Sequence, residues 1–189
     1  MITAAAALAQ SAPEPLAGKA LGDALRRGGY VIYFRHTSTD FSRNDAQMKS
    51  FEDCANQRPL TDAGRDEARA IGAAIKRLAI PVGDVLASPY CRTMETARLI
   101  FGRATSAMTV RGGPAQAEGD RYLDLKTLFT TGAPSGTNVA IASHGNPFVA
   151  VAGPPYLAEG EAAIVAPGGP SGFTIVGRVR KDEWSGLAR

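Results

Sequence analysis

The hydrophobic positions of the chain form short continuous apolar runs that alternate with stretches of helical spacing. The runs are rich in β-branched and aromatic residues, and their length predicts β-strands. The five clear runs lie at 30–34, 82–87, 138–143, 162–165 and 173–179, of which 30–34 and 138–143 are expected to be buried on both faces. A weaker run around 108–110 predicts a further strand.

Apolar residues recur every three or four positions in the segments between these runs, which predicts amphipathic helices. The first predicted helix ends at Arg26-Arg27, before two glycines, a sequence typical of a helix C-terminus. Thr61 is expected to cap the second. Ser88 and Pro89 predict the start of the third, with Ser88 as N-cap and Pro89 as its first residue. A fourth carries its apolar stripe at Tyr122, Leu125, Leu128 and Phe129.

Strands that alternate with helices predict an α/β fold, here a three-layer α/β/α sandwich around a mostly parallel sheet. The sequence has 189 residues and no internal repeat, and a domain usually has about 100–200 residues. We therefore expect one domain over residues 16–189. The polar, aperiodic segment 37–59 exceeds the usual loop length of about 12–15 residues, which indicates either a functional loop or disorder.

Residues 1–15 are expected to form an N-terminal leader. The alanine-rich start ends in Ala7-Leu8-Ala9 before Gln10, which resembles the small-residue cleavage site of a secretory signal, although no positive charge precedes it. We therefore expect a periplasmic or secreted protein, with an alanine-rich tail on a cytoplasmic protein as the alternative. Cys54 and Cys91 fit no metal-binding or Cys-x-x-Cys spacing, and a disulfide or two unpaired thiols both remain open.

Composition narrows the classes of function. With 44% hydrophobic and 21% charged residues the chain is neither disordered nor a small disulfide-built scaffold. The net charge is only +3 and no block of like charges occurs, so we expect no nucleic-acid partner. No apolar run approaches the roughly 20 residues that span a bilayer, so we expect no membrane span. The sequence leaves the oligomeric state open.

The chemistry of the chain concentrates on its two histidines, His36 and His144, each of which directly follows a predicted strand. Ligands of α/β sheets bind beyond the carboxyl ends of the strands. Arg35 precedes the first histidine, and Arg92 lies in the first turn of the third helix, where free N–H groups favour an anion. Two imidazoles and two guanidiniums predict a site for a small phosphorylated substrate. We expect no metal, because neither histidine belongs to a ligand-spaced cluster, and no cofactor.

Four motifs, at 35–37, 60–65, 88–97 and 143–145, resemble those of the histidine phosphatase (phosphoglycerate mutase-like) superfamily and follow one another in the same order as in that family. Arg35-His36-Thr37 resembles the Arg-His-Gly signature, and Ser143-His144-Gly145 resembles the second-histidine motif. Residues 60–65 (LTDAGR) are similar to the family's Leu-Thr-x-x-Gly helix start, and residues 88–97 (SPYCRTMETA) match its Ser-Pro-x-x-Arg-Thr-x-x-Thr-Ala segment. The resemblance covers about residues 30–150 and implies a phosphoglycerate mutase-like fold.

The resemblance also implies a mechanism. His36 would be the nucleophile that becomes phosphohistidine, while Arg35, Arg92 and His144 would bind the phosphoryl oxygens and stabilise their charge. His144 would serve best as imidazolium beside a neutral His36, which requires that their pKa values be pushed apart. The expected activity is a metal-independent phosphomonoester phosphatase. The alternatives are a phosphoglycerate-type mutase, which the compact chain disfavours, and a catalytically silent module that binds a phosphorylated ligand.

Two positions depart from the family pattern. Thr37 stands where the signature has glycine. Gly145 stands where acid phosphatases of the superfamily often have the aspartate that protonates the leaving group. The mutase-like branch instead places a glutamate between the Arg92 segment and the second histidine, which makes Glu118 the first candidate for this general acid. Further candidates are Asp120 and, in the long loop, Asp40 and Asp45. We expect segments 37–57 and 112–122 to shape the mouth of the pocket.

Overall fold

A single six-stranded sheet forms the centre of the structure, a computed structural model that describes residues 15–112 and 120–188. The strand order is β3-β2-β4-β1-β5-β6. The strands are β1 Val31–Arg35, β2 Val82–Ala87, β3 Thr105–Ser106, β4 Asn138–Ser143, β5 Ala162–Pro167 and β6 Phe173–Val179. The α-helices are α1 Gly18–Arg27, α2 Asp62–Arg77, α3 Cys91–Phe101, α4 Leu123–Thr131 and α5 Gly145–Ala152.

The sheet is parallel over four neighbouring strands and antiparallel at one edge. β1 pairs parallel with β4, and β2 pairs parallel with both β4 and β3. β5 and β6 add two antiparallel pairs beside β1. Arg35 and Ser143 are register partners at the carboxyl ends of β1 and β4. The next residue of each strand is a histidine, so the sheet itself brings His36 and His144 to one edge.

Side chains of β1 alternate between two cores, as a strand buried on both faces requires. Ile32 and Phe34 face the core formed with α1 and α2, whereas Val31 and Tyr33 face the one formed with α4 and α5. The third helix, α3, covers the apolar side chains of β2 and β4 on the first of these faces. The result is the predicted three-layer α/β/α sandwich, in which burial of each large apolar side chain contributes about 1.5–3 kcal/mol.

Helix α2 begins where the sequence predicts. The Thr61 hydroxyl accepts a hydrogen bond of 2.9 Å from the backbone N–H of Gly64, which satisfies one of the N–H groups that a helix start leaves free. A Cβ on Gly64 would lie 2.1 Å from the carbonyl oxygen of Ser38. The absent side chain therefore lets α2 approach the backbone just beyond the first histidine.

Two local predictions are wrong, and one helix has no counterpart among the predictions. Helix α3 begins at Cys91 rather than at Ser88, because the Ser88 hydroxyl is engaged by a histidine described below instead of by the helix. Residues 108–110 form a 3-10 turn, and the short strand pairing with β2 lies earlier, at Thr105–Ser106. Helix α5 was not predicted, because its eight residues are almost uniformly apolar and show no polar face.

The long segment 37–59 is a loop that contains only one short 3-10 turn, Cys54–Asn56. A disulfide joins Cys54 to Cys91 across a Cα–Cα distance of 5.7 Å, which decides between the two possibilities that the sequence leaves open. Gln57 adds a second tie, because its side-chain oxygen accepts from the Cys91 N–H at 2.8 Å. The loop is therefore fixed to the start of α3. None of the helices in the described part of the chain combines the length and hydropathy of a bilayer-spanning segment.

Candidate active site

His36 lies directly after β1 with its ring almost fully buried, 2% exposed. Its Nδ1 is 2.9 Å from the carbonyl oxygen of Thr37. A carbonyl can only accept, so Nδ1 carries the proton of the neutral ring and Nε2 keeps its lone pair. The carboxylate of Glu159 lies 3.8 Å from the same Nδ1. The ring is therefore held in the tautomer that a nucleophile needs.

Thr37 occupies its position without requiring the conformational freedom of glycine. Among the described residues, the single non-glycine with positive φ is Ala79. The Thr37 side chain is buried, and its backbone N–H donates to the hydroxyl of Thr96 on α3 at 3.3 Å. The Thr37 hydroxyl lies 3.4 Å from the same Thr96 hydroxyl, so the side chain that replaces the family's glycine adds a contact between the turn after His36 and α3.

His144 directly follows β4 and is the N-cap residue of α5. Its Nε2 is 2.9 Å from the Ser88 hydroxyl, and its ring centroid is 5.7 Å from that of His36. When Ser88 donates to Nε2, the proton of the neutral imidazole lies on Nδ1 and is available to another acceptor. The Ser88 side chain therefore orients the second histidine, which is why it does not cap α3.

Burial lowers the pKa of both histidines. For His36 this brings the pKa to about 3, with further lowering by the charges of Arg92 and Arg35. Burial is also the main cause that takes the pKa of His144 well below its usual value, again with Arg92 beside it. The same desolvation acts on both rings, so it disfavours the imidazolium form that is expected of His144 as well as that of His36. A bound phosphoryl dianion would oppose it by favouring the imidazolium.

Arg92 is the second residue of α3 and lines the same cavity as His36 and His144. The side chain is 7% exposed, and its Nη1 donates to Asp45 Oδ1 at 2.9 Å. The guanidinium stacks on Tyr90, with Cζ 4.4 Å from the ring centroid. Asp45, one of the sequence's candidates for a general acid, thus acts as the ion-pair partner of this arginine.

Arg35 is held in a comparable way at the end of β1. Its Nη1 donates to the carbonyl of Leu157 at 2.8 Å, its Nη2 is 3.6 Å from Glu159, and Cζ lies 5.1 Å from the ring centroid of Tyr156. The Nε atoms of Arg35 and Arg92 are buried and find no acceptor among the described residues. Buried donors without acceptors are rare in proteins, and an oxyanion between the two guanidiniums would supply acceptors.

The four residues predicted at this edge line one cavity of about 280 Å³. Arg121 and Tyr122 also line this cavity and belong to the segment 112–122, which is expected at the mouth of the pocket. Sequence reasoning assigns no role to six further described residues that line it: Arg58, Tyr90, Arg111, Asn146, Pro147 and Tyr156. Most of them lie in segments without hydrophobic periodicity, where the pattern gives no direction for a side chain. Even so, Arg58 lies in the long loop 37–59 and Tyr90 lies within the motif at 88–97. Arg111 directly precedes the segment 112–122, which contains Arg121 and Tyr122.

Three of the predicted proton donors, Asp40, Asp45 and Asp120, belong to the described residues, and none of the three lines this cavity. Glu118, the first candidate, lies outside the described residues. Asp120 is exposed and accepts from the backbone N–H of Tyr122. Asp40 accepts from Ser42, and this hydrogen bonding lowers its pKa, which disfavours the protonated form that a general acid needs. Among the described residues that line the cavity there is no carboxylate.

Gly145, which replaces the aspartate of many acid phosphatases, has a packing reason. A Cβ at this position would lie 2.0 Å from the ring of Tyr156. The same tyrosine carries the guanidinium of Arg35 on its ring and donates from its hydroxyl to Asn146 at 2.8 Å. A side chain at 145 would therefore displace the ring that supports Arg35. Within residues 15–112 and 120–188 no group of three His, Cys, Asp or Glu side chains is arranged to hold a metal ion.

Residues 31–113 match the family model of the histidine phosphatase superfamily, branch 1. The match includes the first three of the four motifs and confirms the resemblance to this superfamily. A comparison with proteins of curated function finds no match to the sequence.

Solved structures share the fold at low sequence identity. The protein histidine phosphatase SixA, complexed with tungstate, is 18% identical with a TM-score of 0.54, over 80% of this chain and 97% of its own. YhfR of Bacillus stearothermophilus is 17% identical with a TM-score of 0.52, over 77% and 94%. A mycobacterial glucosyl-3-phosphoglycerate phosphatase is 15% identical with a TM-score of 0.52, over 74% and 90%. These likenesses confirm the phosphoglycerate mutase-like fold.

Proposed function

We propose that this protein is a phosphatase that hydrolyses a phosphomonoester through a phosphohistidine on His36, since residues 31–113, which carry Arg35, His36 and Arg92, match the histidine phosphatase superfamily. The observation that carries the proposal is the hydrogen bond from Nδ1 of His36 to the Thr37 carbonyl, which leaves the Nε2 lone pair to attack. The lowered pKa keeps this lone pair free at neutral pH. Two of the structures that share the fold are of proteins named as phosphatases, SixA and the mycobacterial enzyme.

The reaction proceeds in two displacements. Nε2 of His36 forms a bond to phosphorus while the bond to the ester oxygen breaks, and the leaving alcohol departs with that electron pair and gains a proton. Water then forms a bond to phosphorus as the P–N bond breaks, which releases inorganic phosphate and restores the neutral imidazole. The net reaction consumes one ester and one water and yields one alcohol and one phosphate.

Charge stabilisation comes from groups that the fold positions in advance. Arg35 and Arg92 present Nε donors that have no acceptor among the described residues, and His144 presents Nδ1–H when Ser88 donates to its other nitrogen. Such donors act on the charge of the equatorial phosphoryl oxygens, where fixed dipoles contribute most. We propose that these three residues do this work without a metal ion.

A hydrolysis assay with matched variants tests the proposal. We expect the wild-type protein to release phosphate from para-nitrophenyl phosphate in the presence of EDTA. Removal of the nucleophile in His36→Ala should lower kcat by about a thousandfold or more. Arg77→Gln, on the exposed face of α2, is the folded control and should keep wild-type kcat. Undiminished activity in His36→Ala, or loss of activity on adding EDTA, would contradict the proposal.

Product analysis separates this activity from the two alternatives. A mutase would convert one phosphoglycerate isomer into the other, whereas the proposed phosphatase yields inorganic phosphate and no isomer. A silent binding module would bind phosphate or vanadate without turnover of any aryl phosphate. Chromatography of the products, together with vanadate binding measured by calorimetry, therefore assigns the chain to one of the three classes.

We also propose that the protein works in an oxidising compartment, the periplasm or the outside of the cell. The Cys54–Cys91 disulfide supports this proposal, because protein disulfides persist in such compartments and are rare in the cytosol. N-terminal sequencing of protein recovered from cell fractions tests it. Exported protein that lacks residues 1–9 is the expected result, and unprocessed protein confined to the cytoplasm would contradict the proposal.

A further inference from the structure

The cavity around the histidines is lined by five arginines, more than one phosphoryl group needs. Arg35 and Arg92 lie beside His36, as described above. The other three are Arg58, Arg111 and Arg121, and we call them the outer arginines. The proposed reaction gives them no role, and the motifs of the sequence do not include them.

The outer arginines differ from the inner pair in their charge balance. Arg92 is ion-paired with Asp45, and Arg35 lies near Glu159. Within residues 15–112 and 120–188 no carboxylate lies within 4.0 Å of an outer guanidinium, and none lines the cavity. Three like charges that share a low-dielectric cleft repel one another and raise the local concentration of anions.

Aromatic rings hold the outer guanidiniums in place. Arg58 stacks on Phe41 with Cζ 4.6 Å from the ring centroid, and Arg121 lies 5.0 Å from the centroid of Tyr122. Arg111 lies between Phe51 and Tyr90, at 5.5 and 5.7 Å. Stacking engages the face of a guanidinium and leaves its N–H donors in the plane free.

Few of the in-plane donors of the outer arginines find an acceptor among the described residues. The Nε atoms of Arg58 and Arg121 are buried and bond to no atom of the described residues. Arg111 makes one hydrogen bond, from Nη1 to the Gly112 carbonyl at 3.2 Å. Buried donors without an acceptor are rare in proteins, and an oxyanion in the cavity that these arginines line would supply acceptors.

Two of the outer arginines, Arg58 and Arg111, are linked to Arg92 through shared groups. The ring of Tyr90 contacts Arg92, Arg111 and the ring of His144, the last at a centroid distance of 5.0 Å. The backbone N–H of Arg58 donates at 2.8 Å to the same Asp45 oxygen that accepts from Arg92. A single side chain therefore lies between each of these two arginines and Arg92: the ring of Tyr90 for Arg111 and the carboxylate of Asp45 for Arg58.

From these observations we infer that Arg58, Arg111 and Arg121 form a second oxyanion subsite beside the phosphoryl site. The substrate class is then a phosphomonoester that carries a second phosphate or a carboxylate on the same small molecule. Planar guanidiniums bind either group in bidentate fashion, so the chemistry shared by the two is an oxyanion with paired oxygens. The inference rests on the proposed function only in assigning the reacting phosphate to His36.

Calorimetric titration with phosphonates, which the enzyme cannot hydrolyse, tests the subsite without relying on turnover. Methylphosphonate carries one anionic group, phosphonoacetate adds a carboxylate, and methylene- and propylene-bridged diphosphonates add a second phosphonate at two spacings. We expect at least one of the two-anion probes to bind about 10- to 100-fold tighter than methylphosphonate, as hydrogen bonds to charged groups provide. The better of the carboxylate and phosphonate probes identifies the second group.

Substitutions locate the gain in affinity. In the double variant Arg58→Gln/Arg111→Gln the affinity of the two-anion probe should fall to within about threefold of that of methylphosphonate, whereas the loss of two cavity charges lowers the affinity of both probes by a common, smaller factor. The control Arg77→Gln should keep the full advantage, which excludes a general loss of positive charge. Thermal unfolding of each variant establishes that it is folded.

Two results would overturn the second subsite: equal affinity for one-anion and two-anion probes at every spacing, or an advantage that survives in the double variant. The proposed function fails differently. Tight binding of all phosphonates without hydrolysis of any phosphomonoester would reject the phosphatase and leave the subsite intact.

Discussion

His36 combines three properties at the scale of a single residue: a fixed tautomer, deep burial and an unprotonated Nε2. The Thr37 carbonyl sets the tautomer, and burial lowers the pKa to about 3. These properties follow from its place after a strand with both faces covered, where backbone acceptors are near and water is excluded. Because burial opposes protonation of the ring, the same burial makes the stability of the folded protein depend on pH in the acid range.

We predict that burial of His36 destabilises the fold in acid. Its pKa is about 3 in the folded protein against an ordinary value of 6.5, so between these pH values the unfolded chain binds the additional proton. Stability is therefore full above pH 6.5 and falls by about 1.4 kcal/mol per pH unit below it. At pH 5 the loss from this residue reaches about 2 kcal/mol, and the lowered pKa of His144 acts in the same direction.

Urea unfolding of wild-type protein and His36→Asn at pH 7.5 and pH 5.0 measures this contribution. Asparagine does not titrate, so the variant should lose about 2 kcal/mol less than the wild type on acidification. Identical losses in the two proteins would show that His36 does not titrate as its burial demands.

We predict that Glu118 supplies the proton to the leaving group. Glu118→Gln should lower kcat for an alkyl phosphate by about 100-fold or more, the range of general acid catalysis, and change kcat for para-nitrophenyl phosphate much less. The reason is that nitrophenolate leaves without protonation, whereas an alkoxide does not. Asp120→Asn is the matched control, because Asp120 is exposed and bonded to Tyr122. Equal effects on both substrates would contradict this role.

At the scale of elements, the site depends on how the loop 37–59 is attached to α3. The disulfide joins Cys54 to the first residue of the helix, and Arg92 is the second. The loop supplies Asp45, which pairs with Arg92, and Arg58. One covalent bond therefore fixes the relative position of an inner and an outer arginine.

We predict that removing this disulfide weakens both the fold and phosphate binding. It closes a loop with a sequence separation of 37, for which the chain-entropy model gives a stabilisation of about 3–4 kcal/mol. Urea unfolding of the oxidised protein and of Cys54→Ser/Cys91→Ser checks this value. Calorimetry with methylphosphonate should show weaker binding in the double variant, since the loop no longer holds Asp45 against Arg92. Unchanged stability and affinity would show that the disulfide has no part in building the site.

At the scale of the whole molecule, a site residue can be predicted from the sequence when it lies at the end of a strand or the start of a helix, and not when it lies in a loop. His36, His144, Arg35 and Arg92 follow strands or begin a helix, so the α/β pattern alone places them at one edge of the sheet. Their contacts confirm that the sheet and α3 bring them together.

The remainder of the site could not be predicted, because it comes from loops. Arg111 and Glu159 reach the site from segments without periodicity, and their direction depends on tertiary contacts with Tyr90 and Thr39. The start of α3 was misplaced for a related reason: the hydroxyl of Ser88 serves His144 rather than the helix. Rules based on neighbouring residues cannot take account of a hydrogen-bond partner that lies 56 residues away in the sequence.

The central claim is that His36 carries the phosphoryl group, and trapping the phosphoenzyme tests it most directly. Wild-type protein is mixed with a phosphate-labelled aryl phosphate and quenched within milliseconds at alkaline pH, where phosphohistidine survives. Peptide mass spectrometry should then find the phosphoryl group on His36, lost on treatment with acid and absent from His36→Ala. Phosphate release by the wild type without a trappable adduct, or an acid-stable label on another residue, would contradict the mechanism.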